Sequence, residues 1–255
     1  VEAAVLDSGA YVGWQREYID IQDISFKHQT YAGIEIDGGL HVNVTGCTFQ
    51  DSYHGIRSYG SYNSYTNCTF RNILATGAEL VDSYSIFSGN QMDSIAMIPG
   101  SGESNWGYFG VNALGSDNTI SHNRLDQIGY IGINVYYNSL VERNLVQHAV
   151  AILNDGTGIG FDKADSAIIR DNIITDITGN LESVAPDFDN YFPIAFGIYF
   201  GNNWVKNTLV QRNTVTRCAG AGMHVDHTMG NTGNSIVDNV LYDNNTKISI
   251  SDWSN

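Results

Sequence analysis

The chain has 255 residues, 42% hydrophobic and only 15% charged, and its net charge of −15 arises from few bases rather than from an acidic tail. Such a surface argues against nucleic-acid binding, which depends on clustered Lys and Arg, and three prolines argue against a linker-rich or disordered chain. No apolar run approaches the roughly 18 residues that span a bilayer, and three cysteines give neither zinc spacing nor an even disulfide framework.

Taken along the chain, the strongest local signal is a glycine followed by alternating apolar residues. It recurs as GIEID at 33, GIRSY at 55, GAELV at 77, GVNAL at 110, GINVY at 132, GIGFD at 158, GIYFG at 197 and GMHVD at 222. A second set precedes each following repeat: GCTF at 46, NCTF at 67, GNQM at 89, HNRL at 122, RNLV at 143, DNII at 171, RNTV at 212 and DNVL at 238. A period near 22 residues with two or three short strands per unit predicts a coil of parallel β-structure. Each strand pairs with its equivalent one turn away, roughly 4.8 Å along the axis.

The second set contains a column: Cys47, Cys68, Asn90, Asn123, Asn144, Asn172, Asn213 and Asn239. Stacked identical amides form hydrogen-bonded ladders, so these residues are predicted to stack inside a turn. Cys47 and Cys68 then fall in adjacent rungs. Their spacing permits a disulfide on distance alone, but parallel stacking disfavours the required dihedral, and buried free thiols are the expectation.

With those repeats in view, the sequence resembles the right-handed parallel β-helix family over essentially residues 17 to 255. The resemblance is carried by the glycine strands, the Asn column and the tail NSIVDNVLYDN at 234 to 244. It implies an all-β, single-stranded right-handed parallel β-helix of about nine rungs. Residues 1–255 are expected to form one such domain, a mature or excised piece of a larger secreted protein acting outside the cell or at its surface, with caps or flanking domains missing.

In each glycine strand the second and fourth residues after glycine should face outward. The first outward column reads Glu35, Arg57, Glu79, Asn112, Asn134, Gly160, Tyr199 and His224. The second reads Asp37, Tyr59, Val81, Leu114, Tyr136, Asp162, Gly201 and Asp226. Two insertions, 93–109 with Trp106 and 179–196 with Glu182, Asp187 and Asp189, precede glycine strands and could wall a groove over Asn134, Tyr136, Gly160 and Asp162. Covering a sheet is the plainer role for such loops.

Asp162 and Asp226 stand two rungs apart with Gly201 between them, roughly 9.6 Å by strand spacing. That separation suits an acid and a base flanking a water, and Gly201 would open a notch between Tyr199 and His224. His224 could bond a sugar hydroxyl or tune a carboxylate. Asp at this position also begins a turn, where its carboxylate accepts backbone N–H groups; both roles remain open.

The last rungs, from GMHVDHTMG to SDWSN, resemble β-helix glycosidases of xylosidase and fucosidase type, in which a strand ending in Asp is followed one rung later by a second acid. Asp226 matches the first position; the second falls at Ser251, with Asp252 one residue on.

The reading is therefore a glycoside hydrolase acting on a neutral or weakly charged polysaccharide. Its catalytic candidates are Asp162, Asp226, His224 and Asp252, with Asn112, Asn134, Tyr136, Tyr199 and Trp106 binding substrate. No metal ligands and no cofactor are assigned. One alternative is a polysaccharide lyase assisted by calcium at Glu182, Asp187 and Asp189. The other is a non-catalytic glycan-binding module whose contact surface is Tyr11, Trp14, Tyr59, Tyr62 and Tyr65.

Overall fold

The computed structural model describes residues 7–104, 106–183, 192–201, 203–226 and 230–250. Within them the chain is all-β: three strands per turn build three parallel sheets of ten, nine and nine strands, the ten-stranded one running from Ser8–Val12 to Thr246–Ile250. The chain is a right-handed parallel β-helix of about nine turns. Among the described residues no helix is long and apolar enough to cross a membrane.

The register follows from two columns. In the ten-stranded sheet, Glu35, Arg57, Glu79, Asn112, Asn134, Gly160, Tyr199 and His224 pair in succession, each with its neighbour one rung on. The apolar residues beside them, Ile34, Ile56, Ala78, Val111, Ile133, Ile159, Ile198 and Met223, are all fully buried. A slip of one residue would turn that whole set outward, so the burial fixes the pairing.

At the corner between the nine-stranded sheets, Asn90 Oδ1 accepts from Cys68 N at 2.8 Å. The ladder then runs Asn90 to Asn123, Asn144, Asn172, Asn213 and Asn239 through paired N and Nδ2 donors of 2.9–3.1 Å. The residue before each ladder position has a left-handed backbone, from Gly46 and Asn67 through His122, Arg143, Asp171 and Arg212 to Asp238. One such residue turns the chain sharply enough for the next side chain to point inward. Cys47 and Cys68 head the column as buried free thiols donating to backbone carbonyls, and burial pushes the Cys68 thiol up to about 12.

Tyr65 is not on the surface. It is fully buried, its hydroxyl bonded to Asp82 and Ser58 at 2.6 Å each, because its strand turns that position into the core.

Candidate functional site

The outward face of the ten-stranded sheet carries most of the residues singled out from the sequence, and the second outward column is also in step. Backbone N–H groups of Tyr136, Asp162, Gly201 and Asp226 each donate to the preceding rung. Asn112 and Asn134 bond to each other, Asn134 Nδ2 to Asn112 Oδ1 at 2.9 Å, and Asn112 is nearly closed off from solvent. Tyr136 lies beneath Lys163, whose Nζ stands 5.9 Å from the ring centre.

The Asp162–Gly201–Asp226 sequence of rungs exists, but the notch does not. A Cβ on Gly201 would meet Phe161 O at 2.8 Å and Asp162 Cβ at 3.1 Å, so the space is filled. Asp162 leans across it: Oδ1 accepts from Asn203 N at 2.7 Å and from Lys163 N at 3.1 Å, and Oδ2 accepts from Asn203 Nδ2 at 2.6 Å. Those bonds are what a turn-forming aspartate makes. Asp252 lies outside the described residues, as do Asp187 and Asp189 of the calcium alternative; Glu182 is exposed. Among the described residues no three His, Cys, Asp or Glu side chains converge as a metal site would require.

The chemistry gathers at the other end of the same strands. A pocket of about 40 Å³ is lined by Tyr130, Ile131, Asp155, Gly156, Thr157, Phe196 and Tyr199. That volume holds a few waters or a hydroxymethyl group, not a whole sugar ring. Trp106 of the first insertion packs on Tyr130 with ring centres 5.5 Å apart, so this insertion does border the pocket. The second insertion returns beside it: Asn154 Nδ2 donates to Phe192 O at 3.0 Å, and Asn154 Oδ1 accepts from Ile194 N at 3.1 Å. The groove expected over Asn134, Tyr136 and Asp162 is thus displaced toward the start of the glycine strands, where the insertions enter.

Asp155 is the residue the sequence reading missed. It precedes the strand Gly156–Phe161 and sits against Tyr130 and Tyr199. Burial, and then the negative charge of Asp226, raise its carboxyl to about 6. Burial also raises the Tyr130 phenol, with the Asp155 charge adding to it. Its sequence signal is positional: of the eight repeats, only this one has an acid three residues before the glycine, where the others carry Thr30, Ser52, Leu74, Gly107, Gly129, Ile194 and Ala219.

The charge of Asp226 reaches Asp155, and Tyr199, which lines the pocket with Asp155, holds Asp226. The Tyr199 hydroxyl donates to Asp226 Oδ2 at 2.7 Å, and burial together with that bond raises its pKa, so it holds its proton. Tyr199, Phe196 and His224 stack in parallel, Phe196 to His224 at 4.4 Å and Tyr199 to His224 at 5.6 Å. His224 Nδ1 meets Ser249 Oγ at 2.6 Å. Burial lowers its pKa, with Asp226 pulling the other way, which keeps the imidazole neutral near pH 7. None of the residues that line this pocket is basic. Arg143 and Arg170 pair with Glu142, Arg212 with Asp171 and Arg217 with Asp176, all beside the Asn ladder or the third sheet.

A family model described as right handed beta helix region matches residues 8–146 and 109–255, and the chain belongs to that family. No curated protein matches it. Among solved structures, an alginate lyase from Paenibacillus sp. str. FPU-7 superposes with a TM-score of 0.65 at 15% identity, over 90% of this chain and 78% of that one. A tailspike protein mutant of E. coli bacteriophage HK620, in complex with a hexasaccharide, gives 0.58 at 15% identity. It covers 94% of this chain, which spans 47% of the tailspike. At such identities the likeness is one of fold.

Proposed function

We propose that the protein is a carbohydrate-active enzyme, a glycoside hydrolase that cleaves a neutral or weakly charged polysaccharide with Asp155 as general acid and Asp226 as the second carboxylate. The observation that carries this reading is Asp155 in the pocket beside Tyr199, whose hydroxyl holds Asp226, with the Asp155 carboxyl raised to about 6 by burial and then by the Asp226 charge. Glycosidases need two carboxyl groups held in different protonation states, and burial is the usual means of keeping one protonated. Asp155 would give its proton to the departing glycosidic oxygen. Asp226, held by the Tyr199 hydroxyl, would be the second carboxylate at the sugar ring, and a water molecule would take the place of the departing oxygen on the anomeric carbon. The parallel stack of Phe196, Tyr199 and His224 offers an apolar edge to a pyranose. Work outside the cell or at its surface fits such a substrate.

Two solved neighbours with glycans in their names, the alginate lyase and the hexasaccharide-bound tailspike, support a sugar polymer as the ligand class. A lyase would need cations to neutralise a uronate, and no arginine or lysine is among the residues that line this pocket. The deciding experiment is incubation of the purified protein with a panel of neutral and uronate polysaccharides, read for reducing ends and for absorbance near 235 nm. New reducing ends without added absorbance are expected. Unsaturated products would make it a lyase, and no product from any substrate would remove the enzymatic reading.

A further inference from the structure

A second cleft, of about 230 Å³, lies on the same sheet three to six rungs away, lined by Tyr31, Glu35, Asp37, Arg57, Tyr59 and Glu79 among others. Its centre is rigid. Arg57 donates to Glu79 Oε1 at 2.8 Å and to Glu103 Oε1 at 2.9 Å, and its guanidinium stands 5.1 Å over the Tyr31 ring. Glu35 accepts from Ser8 Oγ at 2.8 Å and Asp37 from the Tyr11 hydroxyl at 3.4 Å. Two carboxylates therefore hold one guanidinium, with Glu35 and Asp37 lining the cleft beside it, and Arg57 has no charge left to offer an anion.

Behind this wall is an orphan donor. His54 is fully buried, and its Nδ1 accepts from Thr76 N at 3.4 Å, which leaves the hydrogen on Nε2. That atom has no hydrogen-bond partner and points toward Glu103 Oε2, 3.8 Å away. Burial, and then Arg57, bring the imidazole down to about 4, so it adds no positive charge at neutral pH. In front, Tyr59 is 57% exposed and presents an unused ring face.

We infer that this cleft is a second sugar-binding site, selective for a neutral pyranose, that holds the same polymer chain at a distance from Asp155. Carboxylate oxygens accept from sugar hydroxyls, the Tyr59 ring covers the apolar face of a pyranose, and the surplus negative charge repels uronates and sulfated sugars. From Arg57 to Tyr199 the column runs through Glu79, Asn112, Asn134 and Gly160, five rungs or roughly 24 Å. No single sugar bridges that length, but a chain of several units does. The inference rests on the protein being carbohydrate-active, not on cleavage at Asp155.

The test uses the Asp155→Asn protein, so that turnover does not obscure binding. It is titrated by calorimetry with cellohexaose, xylohexaose, laminarihexaose and maltohexaose, and with an oligogalacturonate of equal length. At least one neutral hexaose should bind, the oligogalacturonate at least tenfold more weakly, and Tyr59→Ala or Glu35→Gln should each weaken the neutral ligand tenfold or more. The inference is overturned if no neutral hexaose binds, if the uronate binds as well, or if both substitutions leave affinity unchanged. Binding with this pattern but no turnover by the unsubstituted protein would sink the hydrolase reading and leave the second site standing.

Discussion

The Tyr199 hydroxyl donates a 2.7 Å hydrogen bond to Asp226 Oδ2 across one rung, while the Tyr199 ring lies parallel to His224, its direct partner in the sheet. The stack fixes the ring and the bond fixes the carboxylate, so the acid is positioned by a side chain from the preceding turn. Tyr199→Phe keeps the stack and removes the donor. It is expected to cost about 0.5–1.5 kcal/mol of stability, as a lost hydrogen bond does. Turnover should fall by about tenfold or more, since one acceptor oxygen is no longer held. Denaturation midpoints and initial rates on the substrate found by the polysaccharide panel check both.

Asp155→Asn should reduce turnover by about 10²–10⁴-fold, the usual contribution of proton transfer. The pH profile gives an independent readout. A general acid must be protonated, so with its carboxyl raised to about 6 the rate should hold on the acid side and decline as pH rises through about 6. A rate that rises through that range would assign Asp155 as a base instead.

The same carboxyl makes a stability prediction that needs no substrate. Its folded pKa lies above the ordinary carboxylate value, so the protonated form is the one folding favours. The stabilisation is complete below about pH 4 and is lost as pH rises through about 6. Asn is neutral throughout. Asp155→Asn should therefore gain stability over the unsubstituted protein with rising pH, approaching about 3 kcal/mol at most above pH 7. Urea unfolding at pH 4 and pH 8 measures it; a difference that does not change between the two pH values would show that Asp155 is not desolvated.

The register of the coil was legible in the sequence because two periodic signals agree. Ile34, Ile56 and their successors mark the inward side, and Asn90 to Asn239 mark the corner. Asp155 was not legible in the same way. Its raised pKa depends on burial in a pocket that Tyr199 and other later residues close, and then on the charge of Asp226, and it lies upstream of the glycine that anchors the repeat. The notch at Gly201 failed for a related reason. A missing side chain predicts a gap only if its neighbours stand upright, and Asp162 leans over to Asn203.

Asn144→Ala tests the corner. Asn144 Oδ1 accepts from Asn123 N and Nδ2, and its own Nδ2 donates to Ile120 O and to Asn172 Oδ1. Alanine would leave these buried groups unsatisfied, at about 1–3 kcal/mol for each one orphaned. A loss above about 2 kcal/mol is expected, read as a fall in the urea midpoint. A loss within about 0.5 kcal/mol would mean that the amide column does not carry the corner.

Asp162→Asn separates a turn from a catalyst. The carboxylate gives Asn203 two acceptors, one for its backbone N–H and one for its side-chain amide, and the first oxygen also takes Lys163 N–H. An asparagine offers a single acceptor oxygen and sets its own NH₂ against one of those donors. The expected cost is about 0.5–2 kcal/mol, as for other lost side-chain caps. Turnover should stay within about twofold, because the pocket at Asp155 opens on the opposite end of the strand Gly156–Phe161. A hundredfold loss of turnover with an unchanged unfolding midpoint would reverse the assignment and make Asp162, not Asp155, the partner of Asp226.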